Sequence, residues 1–157
     1  DLGRDAEAAV EFERTLEAIA SLAVAFDKQG VAMGFATDAA MAGNAAPVKA
    51  IKRDPGHLPA ILETLARLRM EQGQNLVQTL RHNMNLPWGV TCLYFSYMQD
   101  ETSGAAGEYF KRRKIPVIHY VCGLPTDGPV HHSGGAGRAI RRLDEILVKE
   151  TGRKYEA

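Results

Sequence analysis

The run His131-His132-Ser133-Gly134-Gly135-Ala136-Gly137 combines residue types and spacing that can bind a ligand, and it stands directly before Arg138, Arg141 and Arg142. A glycine-rich loop that opens a basic helix offers an anion its backbone N–H groups and the positive end of the dipole. On that reading Gly135 and Arg138 are the anion-binding candidates. The spacing departs from both GxxxxGK(S/T) and GxGxxG, the arrangements that fit a nucleotide's phosphates, and a plain connector accounts for the same residues. The histidine pair offers zinc two ligands, whereas a structural zinc takes four in a recognisable spacing. No neighbouring Cys or second His pair completes the set. Cys92 or Cys122 with His119 would make a thiolate–imidazole pair. A cysteine inside a strand is normally inert, however, and a lone strand histidine is usually a satisfied core residue. No catalytic constellation stands out, so no catalytic residue, metal or other cofactor is expected.

These groups depend on the elements that carry them. Phe12, Leu16, Ile19, Ala23 and Phe26 recur at helical spacing and predict one helix over residues 5–29. Asp5, Glu7 and Glu11 suit its positive end, and Gly30 stops it. The apolar run 31–37 predicts a strand buried on both faces. Residues 38–46 read as a loop, and 47–51 as a short edge strand with Pro47 at its start. After the Asp54-Pro55-Gly56 turn, Leu58, Ile61, Leu62, Leu65 and Leu68 predict a helix over 57–70. A second helix covers 75–83. The turn Leu86-Pro87-Trp88-Gly89 leads into a strand over 90–97, followed by a helix over 101–113 ending in Lys111-Arg112-Arg113-Lys114. Residues 115–121 are another strand, and Ile140, Leu143 and Leu147 mark a last helix over 136–150. Strands alternating with helices imply right-handed crossovers and a largely parallel sheet. No repeat or long linker divides residues 1–157, so a single α/β domain is expected.

Composition narrows the function. The chain is 45% apolar and 24% charged, in the globular range, with 19 basic and 19 acidic residues. Such a balance offers nucleic acid no overall attraction. Residues 1–29 carry a net −4 and residues 101–157 a net +3, a pattern that solvated helix faces explain. Trp88, Tyr94, Tyr97, Tyr109 and Tyr120 read as core and rim aromatics, without the basic–aromatic interleaving of a single-strand binder. Two cysteines thirty positions apart point to a reducing, cytoplasmic setting. No run of about 20 apolar residues is present to span a bilayer. The chain opens Asp1-Leu2, so a longer parent is expected, and that parent could be membrane-anchored upstream.

The succession FERTLEAIASLAVAFDKQGVAMGFAT, LPAILETLARLR, LPWGVTCLYFS and RRKIPVIHY resembles the domain-of-unknown-function-58 family of bacterial proteins, which are similar to the von Willebrand factor A fold. The resemblance covers about residues 12–121 and rests on order and spacing. It implies a three-layer α/β sandwich with a mostly parallel, Rossmann-like sheet. Many A-type domains carry an Asp-x-Ser-x-Ser metal motif on a central strand preceding the first helix. This chain has neither that strand nor that motif, and so looks like the C-terminal part of such a domain. Gly73-Gln74-Asn75 stands where the family often has glycine and threonine. Ser96-Tyr97-Met98-Gln99-Asp100 stands where a strand-terminal Asp would follow, and a divalent cation is not expected.

Open α/β sheets bind ligands at the carboxyl ends of their strands. That rim would hold Asp38, Asn75, Ser96 and Asp100. The first expectation is a non-enzymatic protein-interaction or scaffold module, with an AAA-type ATPase as the partner that the resemblance implies, and with homo-oligomers as another form. The alternative is a small-molecule or anion-binding enzyme using the His131–Arg142 loop and helix.

Overall fold

The computed structural model describes residues 2–43 and 45–123, and the backbone of 138–142. The chain divides into two compact units, one of Phe12–Pro87 and one of Asp1–Glu11 with Trp88–Ala157. It is a mixed α/β protein with four helices and three small sheets, one of them parallel, among the described residues.

Helix α1 spans Leu2–Lys28. Its end is the one the sequence marks. Gly30 takes a φ of +69°, the Gly30 N–H reaches Asp27 O at 3.0 Å, and the Val31 N–H reaches Phe26 O at 2.9 Å. Those two bonds satisfy carbonyls that the helix leaves open. Within Phe12–Pro87, α1 lays Leu16, Ile19, Ala20 and Ala23 against Ile61 and Leu65 of α2 (His57–Ala66), with Met33, Phe35, Leu58, Leu62 and Leu68 around them.

The strands of this unit differ from the sequence expectation. β1 (Met33–Ala36) is half-buried throughout and pairs antiparallel with β3 (Val48–Lys52). It is therefore not a parallel strand buried on both faces. The expected loop 38–46 contains β2 (Ala39–Met41), and the expected helix over 57–70 ends at Ala66. Residues Leu68–Gln72 form β4, antiparallel to β2. Leu68 keeps the helical spacing of Leu62 and Leu65, so the period alone runs past the boundary. Strand pairing with β2 overrides it, a tertiary effect that local propensity does not contain. Helix α3 (Leu76–Asn83) follows, capped by Asn75, whose side chain accepts from the Gln78 N–H at 3.1 Å.

Gly34 sits where β1 meets its neighbours. A Cβ there would lie 2.7 Å from Met84 Cε, 2.8 Å from Ile51 Cγ1 and 2.9 Å from the Lys49 carbonyl. Because one of those neighbours is backbone, Gly34→Ala is expected to destabilise the protein by about 1–3 kcal/mol, the range for overpacking. Urea unfolding measures it, and an unchanged midpoint would show that the strands have room.

In the other unit the expected order of elements is present. β5 (Cys92–Ser96), α4 (Glu101–Arg112) and β6 (Val117–Val121) make a parallel β–α–β unit. Beyond it, β7 (Arg138–Arg142) adds parallel to β6. The helix expected over 136–150 is thus corrected at 138–142, where the backbone is a strand, and the remainder of that expectation lies outside the described residues. Ala-Ile-Arg flanked by arginines satisfies either period over so few residues, and parallel pairing with β6 decides between them. Buried Ala106, Tyr109 and Phe110 of α4 and buried Val117, His119 and Cys122 form the interior here. Two of the three sheets are antiparallel, so the largely parallel sheet of the sequence reading is confined to β5-β6-β7.

Candidate functional site

The carboxyl ends of β5 and β6 are built from a strand end, a turn and a helix start. In the β5–β6 ladder Cys92, Tyr94 and Ser96 lie opposite Val117, His119 and Val121. Side chains two apart share a face, so Tyr94, Ser96 and His119 meet. The Tyr94 and His119 rings stack at 4.7 Å between centroids with planes 28° apart. His119 is wholly buried. Its Nε2 lies 2.6 Å from Ser96 Oγ, and that hydroxyl donates to Met98 O at 2.9 Å.

The single hydroxyl proton of Ser96 allows two arrangements, one for each His119 tautomer. With that proton on the Met98 carbonyl, Ser96 Oγ accepts from an Nε2–H. A histidine acting as general base would turn its Nε2 lone pair toward the hydroxyl. In either tautomer the contact ties the turn after β5 to His119. His119→Leu is expected to cost about 2–4 kcal/mol, the sum of a buried hydrogen bond and a ring contact. Unfolding of that variant at the wild-type midpoint would contradict the bonding described.

Asp100 is equally committed. It is the N-cap of α4. Its Oδ1 accepts from the Ser103 N–H at 2.8 Å, and Ser103 Oγ accepts from the Asp100 N–H at 2.9 Å, closing a capping box. The same hydroxyl donates to Asp100 O at 3.0 Å. Ser103 is a residue the sequence reading missed. Asp-x-x-Ser before a helix was the available signal, because a cap and its N3 partner stand three apart. Tyr97 and Met98, between these two anchored points, are exposed at 43% and 52%. Their prominence was not foreseen, since exposure of residues in a turn leaves no mark in the period.

The structure splits the four rim candidates between the two units. Ser96 and Asp100 belong to the β5-β6-β7 unit. Asp38 and Asn75 belong to the other, where the Gly73 N–H bonds to Asp38 O at 2.6 Å, two residues before Asn75. Of the anion candidates, Arg138 is the first residue of β7, while Gly135, His131 and His132 lie outside the described residues. A helix N-terminus at 138 is therefore not what would receive an anion. An open groove of about 440 Å³ in the first unit is lined by Ala45, Ala46, Lys49, Glu63, Thr64 and Arg67. Its Arg67 is paired with Glu63 at 2.8 Å and its Thr64 hydroxyl donates to Ala60 O.

Cys92 faces Val117 across the ladder, two places before the Tyr94–His119 step. Burial pushes its thiol up to about 12, because desolvation disfavours the thiolate. The nucleophile is the thiolate, so Cys92 is expected to resist iodoacetamide at pH 8 while the protein is folded and to react once urea unfolds it. Rapid alkylation of the native chain would overturn this. The same shift fixes the sign of a pH effect. The unfolded thiol ionises near its ordinary value and the folded one higher, so this contribution to stability is intact below pH 9 and lost as pH rises toward 12. Among the described residues no three His, Cys, Asp or Glu side chains form a metal-binding group, and no helix is long and apolar enough to cross a membrane. Compared with known proteins, the chain matches no family model, no curated protein and no solved structure.

Proposed function

We propose that this chain is a non-enzymatic protein-interaction module that works through the turn following β5. The observation that carries the reading is the division of labour there. The polar side chains Ser96 and Asp100 are bound to their own backbone, while Tyr97 and Met98 stand in solvent. A site for chemistry needs polar groups turned toward a substrate. An interface needs anchored, exposed aromatic and thioether side chains.

We propose further that β5-β6-β7 is part of a three-layer sandwich of von Willebrand factor A-like type whose next strand comes from outside the described residues. The edges of the sheet support this. The Cys92 N–H bonds to Pro116 O and the Cys122 N–H to Ser96 O. In a parallel ladder with that register, residues 92, 94 and 96 turn both backbone groups toward β6. Leu93 and Phe95 turn theirs the other way, where no strand pairs with them among the described residues. Edge strands are normally guarded by charge or proline. β7 has three arginines in five residues, and Cys-Leu-Tyr-Phe-Ser of β5 has no charge at all. β5 has the composition of an inside strand.

An AAA-type ATPase in the cytoplasm is the partner that the family resemblance suggests. Binding of the purified chain to that ATPase, compared between wild type and Met98→Glu, tests the proposal. Equal affinities would remove the turn from the interface. Turnover of a small molecule that disappears with Ser96→Ala would replace the proposal with an enzymatic one.

A further inference from the structure

The opposite end of the same sheet carries a second exposed surface. Cys92 and Val117 begin their strands side by side. The segments entering them, Trp88-Gly89 and Lys111–Lys114, therefore both lead into the amino end of the sheet, and Arg138 starts β7 in register with Val117. Trp88, the sole tryptophan of the chain, is fully exposed. Lys111, Arg112, Arg113 and Lys114 are all exposed.

The basic turn is held in one shape. The Ile115 N–H bonds to Phe110 O and the Lys114 N–H to Lys111 O, both at 3.0 Å. The Arg113 guanidinium lies 4.9 Å above the Tyr109 ring. Lys114 itself has a φ of +56°. It occupies the left-handed position after a helix that glycine normally fills, and a lysine there is strained. Bases near a helix C-terminus are stabilising through the dipole, which accounts for Lys111 and Arg112. It does not account for a lysine kept where glycine would be more stable.

We infer that this amino end, Trp88 with the Lys111–Lys114 turn, is a docking surface for an acidic protein segment bearing an apolar side chain. Charge complementarity selects the acid, and a fully exposed tryptophan supplies the anchor that protein interfaces favour. Nucleic acid fits less well. Four clustered bases neutralise few phosphates, and the equal totals of acids and bases add no field to help them. The surface lies at the other end of the strands from Tyr97 and Met98, so it does not depend on the interface proposed there.

The test is a fluorescence titration of the 157-residue chain, which reads Trp88 directly. The probe is a ten-residue peptide of alternating glutamate and leucine, at low ionic strength. A blue shift that saturates, and that weakens in added salt, is expected. Lys114→Gly is expected to raise the urea midpoint and yet weaken the peptide about twofold to fivefold, in the range for one exposed charge pair. Lys111→Glu with Arg112→Glu is expected to abolish binding, and Met98→Glu to leave it unchanged. An unchanged Trp88 spectrum would overturn the inference. So would equal binding by the charge-reversed protein, or tighter binding of single-stranded oligonucleotide or phosphatidylserine vesicles than of the peptide. A Lys114→Gly protein both more stable and equally able to bind would show the strain to be unrelated to the surface.

Discussion

Tyr97→Ala combined with Met98→Glu is expected to weaken binding of the proposed partner at least about 100-fold while leaving the free energy of unfolding within about 0.5 kcal/mol of wild type. The first figure follows from interface energetics, in which an exposed anchor that becomes buried is worth about 2 kcal/mol or more, and two such losses multiply. A glutamate forced into an apolar contact adds its own desolvation cost. The second figure follows from position. Tyr97 and Met98 are exposed, and the groups that fix the turn are the Ser96 hydroxyl, the Met98 carbonyl, the Asp100 cap and the Tyr97 carbonyl, which accepts from the Gly123 N–H. The substitutions alter none of these. Isothermal titration against an AAA-type ATPase, the proposed partner, beside an unfolding curve, separates the two effects. Loss of stability in step with affinity would mean that the turn had been disrupted, and Met98→Glu alone would then carry the comparison.

An equally large effect is expected in amide exchange along β5. The amides of Tyr94 and Ser96 point to β6, whereas those of Leu93 and Phe95 point away from it. An amide bonded inside a sheet exchanges only when the structure opens, and one on an open side exchanges far more readily. Protection is therefore expected to alternate along the strand, with Leu93 and Phe95 about 100-fold or more less protected than their neighbours. In a longer parent that supplies the adjoining strand, both should become as slow as Tyr94. Uniform protection in the 157-residue chain would show that β5 is already paired on both sides.

The helices were largely legible from the sequence, because burial on one side imprints a period. α3 and α4 fall within a residue or so of their expected limits, and Gly30 ends α1 where the glycine signal places it. The β5–α4–β6 alternation was legible for the same reason. The short strands were not. β2 has three residues and β4 has five, of which four are exposed. Runs that short and that exposed carry no alternation to read, and they exist because each pairs with the other. β7 misled for another reason. Its arginines suit a helix start as well as a guarded sheet edge, and only the neighbour decides.

Of the candidate site, the positions of Ser96 and Asp100 at the end of β5 were foreseen, but their roles were not. The hydroxyl and carboxylate that could have faced a ligand instead bind Met98 O and the Ser103 N–H. Those bonds depend on how the turn folds, which residue types alone do not encode. The Cys92–His119 pair, which the residue types already disfavoured as chemistry, meets a comparable obstacle. Both are on the ladder, but the histidine stacks on Tyr94 and the thiol is held neutral by burial.

The turn after β5 is the proposed interface, and crosslinking reads it most directly. With p-benzoylphenylalanine in place of Tyr97, irradiation of the chain mixed with an AAA-type ATPase, the proposed partner, should give one crosslinked product. The same group at exposed Met70, in the other unit, should give none. A crosslink from position 70 with none from position 97 would contradict the assignment of the partner to this turn.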